Sequence, residues 1–230
     1  MASDGAAYDL FGWDVGLSGD RIVVGAYLND ANGLNSGAAY VFHREGDNWV
    51  EEAKLIGSNT VAGDKFGSDV LIEGDRVVVS SAYHDAGQNN IGAIYVFARQ
   101  GTQWIEETQL YPYTGYNDYE HVYVKAMSGD YVVATTFGNH SEITIFHKTV
   151  SGWEIQARLD LLGGAIALRG TQMMIGNSQK SGPYSTADFG IAYLYERDDY
   201  RNEWSRRWSA QPASNVLGTG FGSDVAVEED

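Results

Sequence analysis

The chain has 230 residues, with 15 Lys and Arg against 31 Asp and Glu, a formal charge of −16, and no cysteine. The missing thiols exclude disulfide scaffolds, cysteine-ligated zinc and thiol catalysis. The acidic balance argues against nucleic acid and anionic membrane as partners, because both need basic patches; no apolar run reaches the roughly 18 residues of a membrane span.

The first ten residues, MASDGAAYDL, carry neither a basic n-region nor an apolar h-region, so they do not read as a signal peptide. Residues 11–26, FGWDVGLSGDRIVVGA, predict two short strands around a tight SGD turn. A polar loop, NDANGLNSG (29–37), leads to GAAYVFHR. An EGDN turn then leads to WVEEAKL. The whole unit recurs at an offset of 55: FGSDVLIEGDRVVVSS (66–81), HDAGQNNIG (84–92) and IGAIYVFARQGTQWIEETQL (91–110). Two worn copies follow, one with SGDYVVATT (128–136) and ITIFHKTVSGW (143–153), the next with ALRGTQMMIGN (167–177) and GIAYLYERDDYRNEW (190–204). A fifth copy opens at FGSDVAVEED (221–230). The repeats are expected at about 6–58, 59–113, 114–162 and 163–212, with a partial one at 213–230, within a single domain spanning 1–230.

Four strands per repeat and a period near 50 predict an all-β propeller of four-stranded antiparallel blades, about four blades plus an extra strand. A four-stranded sheet cannot bury both faces alone, and stacking against its neighbours does so. Phe11, Val15, Ile22, Val24, Tyr40 and Phe42 are expected to fill that stack, and alternation puts Trp13 on the face of Phe11, hence in the core. Gly12, Gly67 and Gly222 suit close backbone approach. Trp49, Trp104, Trp153 and Trp204 read as blade packing.

The pattern Phe-Gly-x-x-Val, then Val-Val-Gly-Ala, then Gly-x-x-Tyr-Val-Phe resembles the FG-GAP repeat, which builds the propeller of integrin α chains and of many surface proteins. The resemblance is specific at 11–55 and 66–110 and weak later, where His121-Val122 and Leu162-Gly163 stand at the Phe-Gly positions. It implies an extracellular or cell-surface location. The family often carries an Asp-x-Asp-x-Asp-Gly calcium loop between its first two strands. Here the equivalent turns are LSGD, IEGD, MSGD and LRGT, too short and carboxylate-poor for calcium, so no cofactor and no metal site is expected.

Both the first repeat and the end of the chain carry a first strand. Three readings follow: a fragment of a larger propeller, closure as four blades with a spare edge strand, or pairing of that strand with a neighbouring chain. Met1 at a repeat boundary adds a fourth, an engineered or fragmentary propeller.

Candidate sites lie where the repeats differ. YPYTGYNDYEHVY (111–123) holds five tyrosines, and Tyr113, Tyr116, Asp118 and Tyr119 suit sugar stacking and hydroxyl binding. Asp30 and Asp85 occupy the same slot of the variable loops, and a ligand is expected there; the same residues are also turn formers. Asp14, Asp69 and Asp224 recur at one position and are expected to bond backbone N–H groups of the adjoining turn rather than to catalyse. His43 and His147 are expected to face solvent. The resemblance to integrin-like and fungal-lectin propellers, with the Tyr-rich segment as local support and no acid/base cluster, nucleophile elbow or phosphate loop in the sequence, implies a non-enzymatic recognition or adhesion module. It would bind glycan or protein through propeller loops, without membrane insertion. The alternative is a structural, filament-forming repeat protein that self-associates through its terminal first strand.

Overall fold

A computed structural model describes residues 2–84, 91–112, 120–138, 141–161, 164–177, 190–212 and 221–228. It is an all-β propeller chain of four antiparallel four-stranded blades, and no helix occurs among the described residues. Blade 1 comprises β1 (Val15–Ser18), β2 (Arg21–Ala26), β3 (Ala38–Glu45) and β4 (Asn48–Leu55); blade 2 comprises β5 (Phe66–Glu73), β6 (Arg76–Ser81), β7 (Ala93–Gln100) and β8 (Gln103–Leu110). Blade 3 is β9 (Glu120–Ser128), β10 (Tyr131–Gly138), β11 (Ile143–Thr149) and β12 (Gly152–Leu159); blade 4 is β13 (Ala165–Arg169), β14 (Gln172–Asn177), β15 (Ile191–Asp198) and β16 (Glu203–Ala210). In each blade the strands lie in chain order. The chain divides into two compact units, residues 1–124 with 136–140, and 125–135 with 141–230.

Local chemistry repeats from blade to blade. The turn between first and second strands needs a positive φ, and Gly19, Gly74, Gly129 and Gly170 supply it at 55–56°. The turn's last residue then accepts a hydrogen bond from the third strand: Asp20 from Arg44, Asp75 from Arg99, Asp130 from Lys148 and Thr171 from Arg197, at 2.8–2.9 Å. Each fourth strand is bulged, leaving Glu52, Glu107, Gln156 and Arg207 outside the ladder. A bulge re-aims its side chain. Glu52 thereby reaches Arg99 of blade 2, and Gln156 donates to Asn202 and accepts from Trp204 of blade 4.

In the first unit, Val23 and Val41 of blade 1 pack on Phe66, Val70, Val79, Tyr95 and Phe97 of blade 2. In the second, Tyr131, Val133, Ile143 and Ile145 pack with Met173, Ile175, Tyr193 and Tyr195. The blade contact depends on a seat. Phe66-Gly67, leading β5, lies so close to blade 1 that a Cβ on Gly37 would collide with the Phe66 carbonyl oxygen and one on Gly25 with that of Gly67. The same seat occurs in blade 4, where Gly190 and Gly176 receive Phe221-Gly222.

One expectation about the core is corrected. Phe66, Val70 and Ile72 are 0, 1 and 8% exposed, whereas their blade 1 equivalents Phe11, Val15 and Leu17 are 41, 63 and 68% exposed, and Trp13 is 59% exposed. Alternation identifies the correct strand face. It cannot say whether another blade covers that face.

The seat gives a sharp contrast between glycines. Gly37→Val, at φ +88 and against the Phe66 backbone, is expected to cost more than about 3 kcal/mol. Gly46→Ala, at φ +62 with open space around it, is expected to cost about 1–2 kcal/mol for the left-handed backbone alone. Urea unfolding of the two variants measures the difference.

Candidate functional site

Because β1 and β2 are antiparallel, the start of each first strand meets the end of each second strand, beside the variable loops. Five side chains form a row at that end in the first unit. Trp13, just before β1, stands edge-on to Tyr27, just after β2, with ring centres 4.8 Å apart. Lys65, just before β5, holds its Nζ 5.9 Å from the Tyr27 ring centre and 3.8 Å from that of Tyr83, which follows β6. Tyr83 lies tilted against His121 of β9 at 4.2 Å. Tyr123 and Phe137 meet edge-on at 5.8 Å in the same unit.

The backbone aims this row. Lys65 sits at φ +58, and its repeat equivalent Leu10 at φ +53; a left-handed residue with a side chain is uncommon. The Lys65 N–H donates to the Asn35 carbonyl at 3.2 Å, flanked by Gly63 to Leu34 at 2.9 Å and Phe66 to Ser36 at 2.9 Å. The loop of blade 1 therefore fixes the lead-in of blade 2. Asp30 shapes that loop: its Oδ1 accepts from the Asn35 N–H at 2.8 Å, while Ser36 Oγ accepts from the Asn32 N–H at 2.8 Å.

Beneath the row lies a buried pair. His84 Nδ1 donates to Asp64 Oδ2 at 2.7 Å, and both side chains are buried. Asp64 Oδ2 also accepts from the Val61 N–H, and the Tyr83 N–H donates to the Asp64 carbonyl. Asn59 Nδ2 faces His84 Nε2 at 3.4 Å, and Tyr95 donates to Asn59 Oδ1 at 2.6 Å. Burial pushes the Tyr95 hydroxyl well above the ordinary phenol range, so it stays a donor. Blade 1 repeats the arrangement with Asn29 in place of His84: Asn29 donates to Asp9 Oδ2 at 2.7 Å, and Asp9 accepts from the Ala6 N–H. Asp64 precedes Lys65 and His84 follows Tyr83, so the pair clamps the roots of the closest cation–ring contact in the row. Since blade 1 does the same work with Asn29, His84→Asn is expected to leave stability within about 1 kcal/mol of the parent. Asp64→Ala, which strands a buried imidazole and the Val61 N–H, is expected to cost about 2–4 kcal/mol. Thermal melts of both variants check this.

A concave feature lies between blades 1 and 2 at their opposite end, a cavity of about 350 Å³ lined by Arg21, His43, Glu51, Glu52, Arg99 and Thr102. Glu52 is nine-tenths buried and accepts from Arg21 Nε at 2.9 Å and Arg99 Nε at 2.6 Å. Burial alone would raise its carboxyl, but the bonds from Arg99 and Arg21 outweigh that and hold it below the ordinary range. A depressed carboxylate stabilises the fold above its unfolded value, about 4.3, and the contribution is lost as pH falls through the folded value. Glu52→Gln is therefore expected to cost about 2 kcal/mol at neutral pH. The gap from the parent should close as pH falls below the glutamate range, which chemical denaturation across pH measures.

Of the ligand-binding residues expected from the sequence, Asp30 lies among the described ones; Tyr113, Tyr116, Asp118, Tyr119 and Asp85 lie outside them. Asp14 does not serve its own turn: its Oδ2 accepts from the Val70 N–H of the next blade at 2.7 Å. His147, expected to face solvent, is half-buried and stacks on Tyr131 at 4.3 Å. Sequence reasoning missed the row, although each member breaks the repeat: Trp13 against Ser68, Tyr27 against Ala82, Lys65 against Leu10, Tyr83 against Leu28 and His121 against Phe66. Among the described residues no three His, Asp or Glu side chains converge as a metal site.

Aromatic faces beside an ammonium group suit a ligand with an apolar face and oxygen substituents. Comparisons with known proteins add the following. The FG-GAP repeat profile matches residues 1–42 and 49–97. No curated protein matches the chain significantly. Among solved structures, a crystal structure of a Lactobacillus plantarum protein superposes with a TM-score of 0.57 at 12% identity, covering 90% of this chain and 55% of its own. The periplasmic gluconolactonase of Pseudomonas aeruginosa does so with a TM-score of 0.57 at 13% identity, covering 87% of this chain and 52% of its own. The chain thus spans about half the length of these structures. At such identities the likeness is one of fold. It nevertheless corrects the expectation of a non-enzymatic protein, because this propeller fold is one that an enzyme uses. No helix among the described residues is long and apolar enough to cross a membrane.

Proposed function

We propose that this chain, whose residues 1–42 and 49–97 match the FG-GAP repeat, recognises carbohydrate outside the cytoplasm through the row Trp13, Tyr27, Lys65, Tyr83 and His121. The observation that carries this reading is the exposed indole of Trp13 continuing into a cation–ring contact of 3.8 Å between Lys65 and Tyr83. Aromatic side chains bury readily in a core, and Ser68 at the equivalent position shows that the blade does not need an indole there. Rings held half-open at the end of a rigid sheet offer flat apolar faces to the C–H face of a pyranose. Lys65 gives a hydrogen-bond donor and a positive charge in an otherwise acidic protein, which favours sugars bearing a carboxylate. The FG-GAP repeats and the periplasmic relative support a location beyond the cytoplasmic membrane. The gluconolactonase likeness makes sugar lactones the first compounds to offer, with hydrolysis followed alongside binding.

The test is a glycan array followed by calorimetric titration, run with calcium and again with EDTA. The parent chain is expected to bind. Trp13→Ala and Tyr83→Ala should each weaken binding roughly tenfold, since a stacked ring contributes about 1–1.5 kcal/mol beyond its area. Lys65→Met should weaken acidic sugars more than neutral ones. A blank array, or equal binding by both ring variants, contradicts the reading.

A further inference from the structure

Glu52, bulged out of β4, is the hub of two guanidinium groups. Its Oε2 accepts from Arg21 Nε of β2 at 2.9 Å and its Oε1 from Arg99 Nε of β7 at 2.6 Å. Fastening the two blades uses only these Nε groups. A guanidinium carries five N–H donors in a fixed fork, and the rest sit on the Nη atoms. Among the described residues, no Nη atom of Arg21 or Arg99 donates a hydrogen bond to the protein; Arg99 Nη1 lies 3.8 Å from Asp75 Oδ1, beyond hydrogen-bond distance. Both arginines line the cavity of about 350 Å³, to which Thr102, exposed in the turn between β7 and β8, adds a hydroxyl. Two guanidinium charges meet one buried carboxylate, so the hub keeps a positive charge. The other carboxylate of the lining, Glu51, is already capped by the Ser3 N–H at 2.7 Å and the Ser3 hydroxyl at 2.8 Å, and His43 Nε2 is engaged by Glu45 at 2.7 Å.

The second unit shows that the repeat does not need this arrangement. There Tyr131 stands at the position of Arg21, and its ring centre lies 4.4 Å from Cζ of Arg197, the equivalent of Arg99. Arg197 Nη2 pairs with Asp199 at 2.6 Å, and the bulged residue is Gln156 in place of Glu52. A ring and an aspartate thus occupy the guanidinium whose counterpart in the first unit lines a cavity.

We propose that the cavity between blades 1 and 2 is an oxyanion site, in which the Nη groups of Arg21 and Arg99 hold a phosphate, sulfate or carboxylate group beside the Thr102 hydroxyl. Paired forks match the oxygens of such groups in direction as well as charge. The volume lies at the lower end of the range for small-molecule sites, so the ligand is a free oxyanion or a monosaccharide that carries one. The site is independent of the aromatic row, at the other end of the same blades.

Titration calorimetry of the full chain with sodium sulfate and with inorganic phosphate, at ionic strength held constant with sodium chloride, tests this. A saturable one-to-one isotherm is expected, with a Kd on the order of 1 mM or tighter. Arg21→Lys keeps the charge and loses the fork, and should weaken binding by about tenfold. Two controls should leave it unchanged: Arg44→Lys, an arginine whose Nε is spent on the Gly46 carbonyl, and Lys65→Met in the aromatic row. Circular dichroism confirms that each variant stays folded. Glucose 6-phosphate separates the two sources. Tighter binding than phosphate assigns the rest of the cavity to the sugar ring, equal or weaker binding assigns the site to the oxyanion alone, and both support the site. No saturable heat with either anion overturns the proposal. So does affinity unchanged in Arg21→Lys, and so does affinity lost in Arg44→Lys or Lys65→Met, which would place the anion elsewhere.

Discussion

Backbone laid directly on backbone is the constraint on which the rest of the structure depends. Where Phe66-Gly67 rests on Gly25 and Gly37, no side chain separates the blades, and a single Cβ would meet a carbonyl oxygen. This approach fixes how far the first strand of one blade slides into its neighbour. It aligns Val70 and Ile72 with the face formed by Val23 and Val41. It also explains why the motif keeps both a bulky ring and a glycine: the ring fills the space behind the seat, edge-on to Tyr95 at 5.1 Å, and the glycine lets the chain enter it at positive φ.

The seat has a consequence for function, because the residue before it is held left-handed and bonded to the preceding blade's loop. In blade 2 that residue is Lys65, and the strand end beside it carries Tyr83. The pair Asp64 and His84 locks both roots, as Asp9 and Asn29 lock the equivalent points of blade 1. A repeat that would otherwise present Leu10 and Leu28 here presents a cation over a ring instead. The scaffold is common to the two blades, and the candidate ligand surface consists of what differs between them. Opposite this end, the bulged Glu52 joins Arg21 to Arg99 across the same two blades, so they are fastened on both sides of their shared core. A ligand platform spread over two blades needs such fastening to keep its ring spacings.

The blades were legible in the sequence because each strand, turn and tryptophan recurs, and because the Gly-Asp turns demand the positive φ that glycine gives. What alternation could not supply was the neighbour. Phe11 and Val15 have the same residue types as Phe66 and Val70, yet only the latter pair is covered. The aromatic row was not legible for a related reason. Its members come from five separate segments, and each looks like an isolated lapse in the repeat until the sheet brings strand starts and strand ends together. The bulge residues were hidden too, since Glu51 and Glu52 in WVEEAKL look alike, while only Glu52 turns inward to the two arginines. Asp14 was expected to bond the backbone of its own turn, but its bond crosses to the Val70 N–H of the next blade, which a single repeat does not reveal.

The central claim is that the row led by Trp13 is where a sugar binds. The most direct measurement is a titration of the chain with the sugars that score on the array, read from the indole N–H resonances of its six tryptophans. The account predicts that the Trp13 signal shifts with a saturating profile, while the signal of Trp104, buried in the first unit's core, stays in place. Saturable binding that moves other indoles and leaves Trp13 untouched would contradict it.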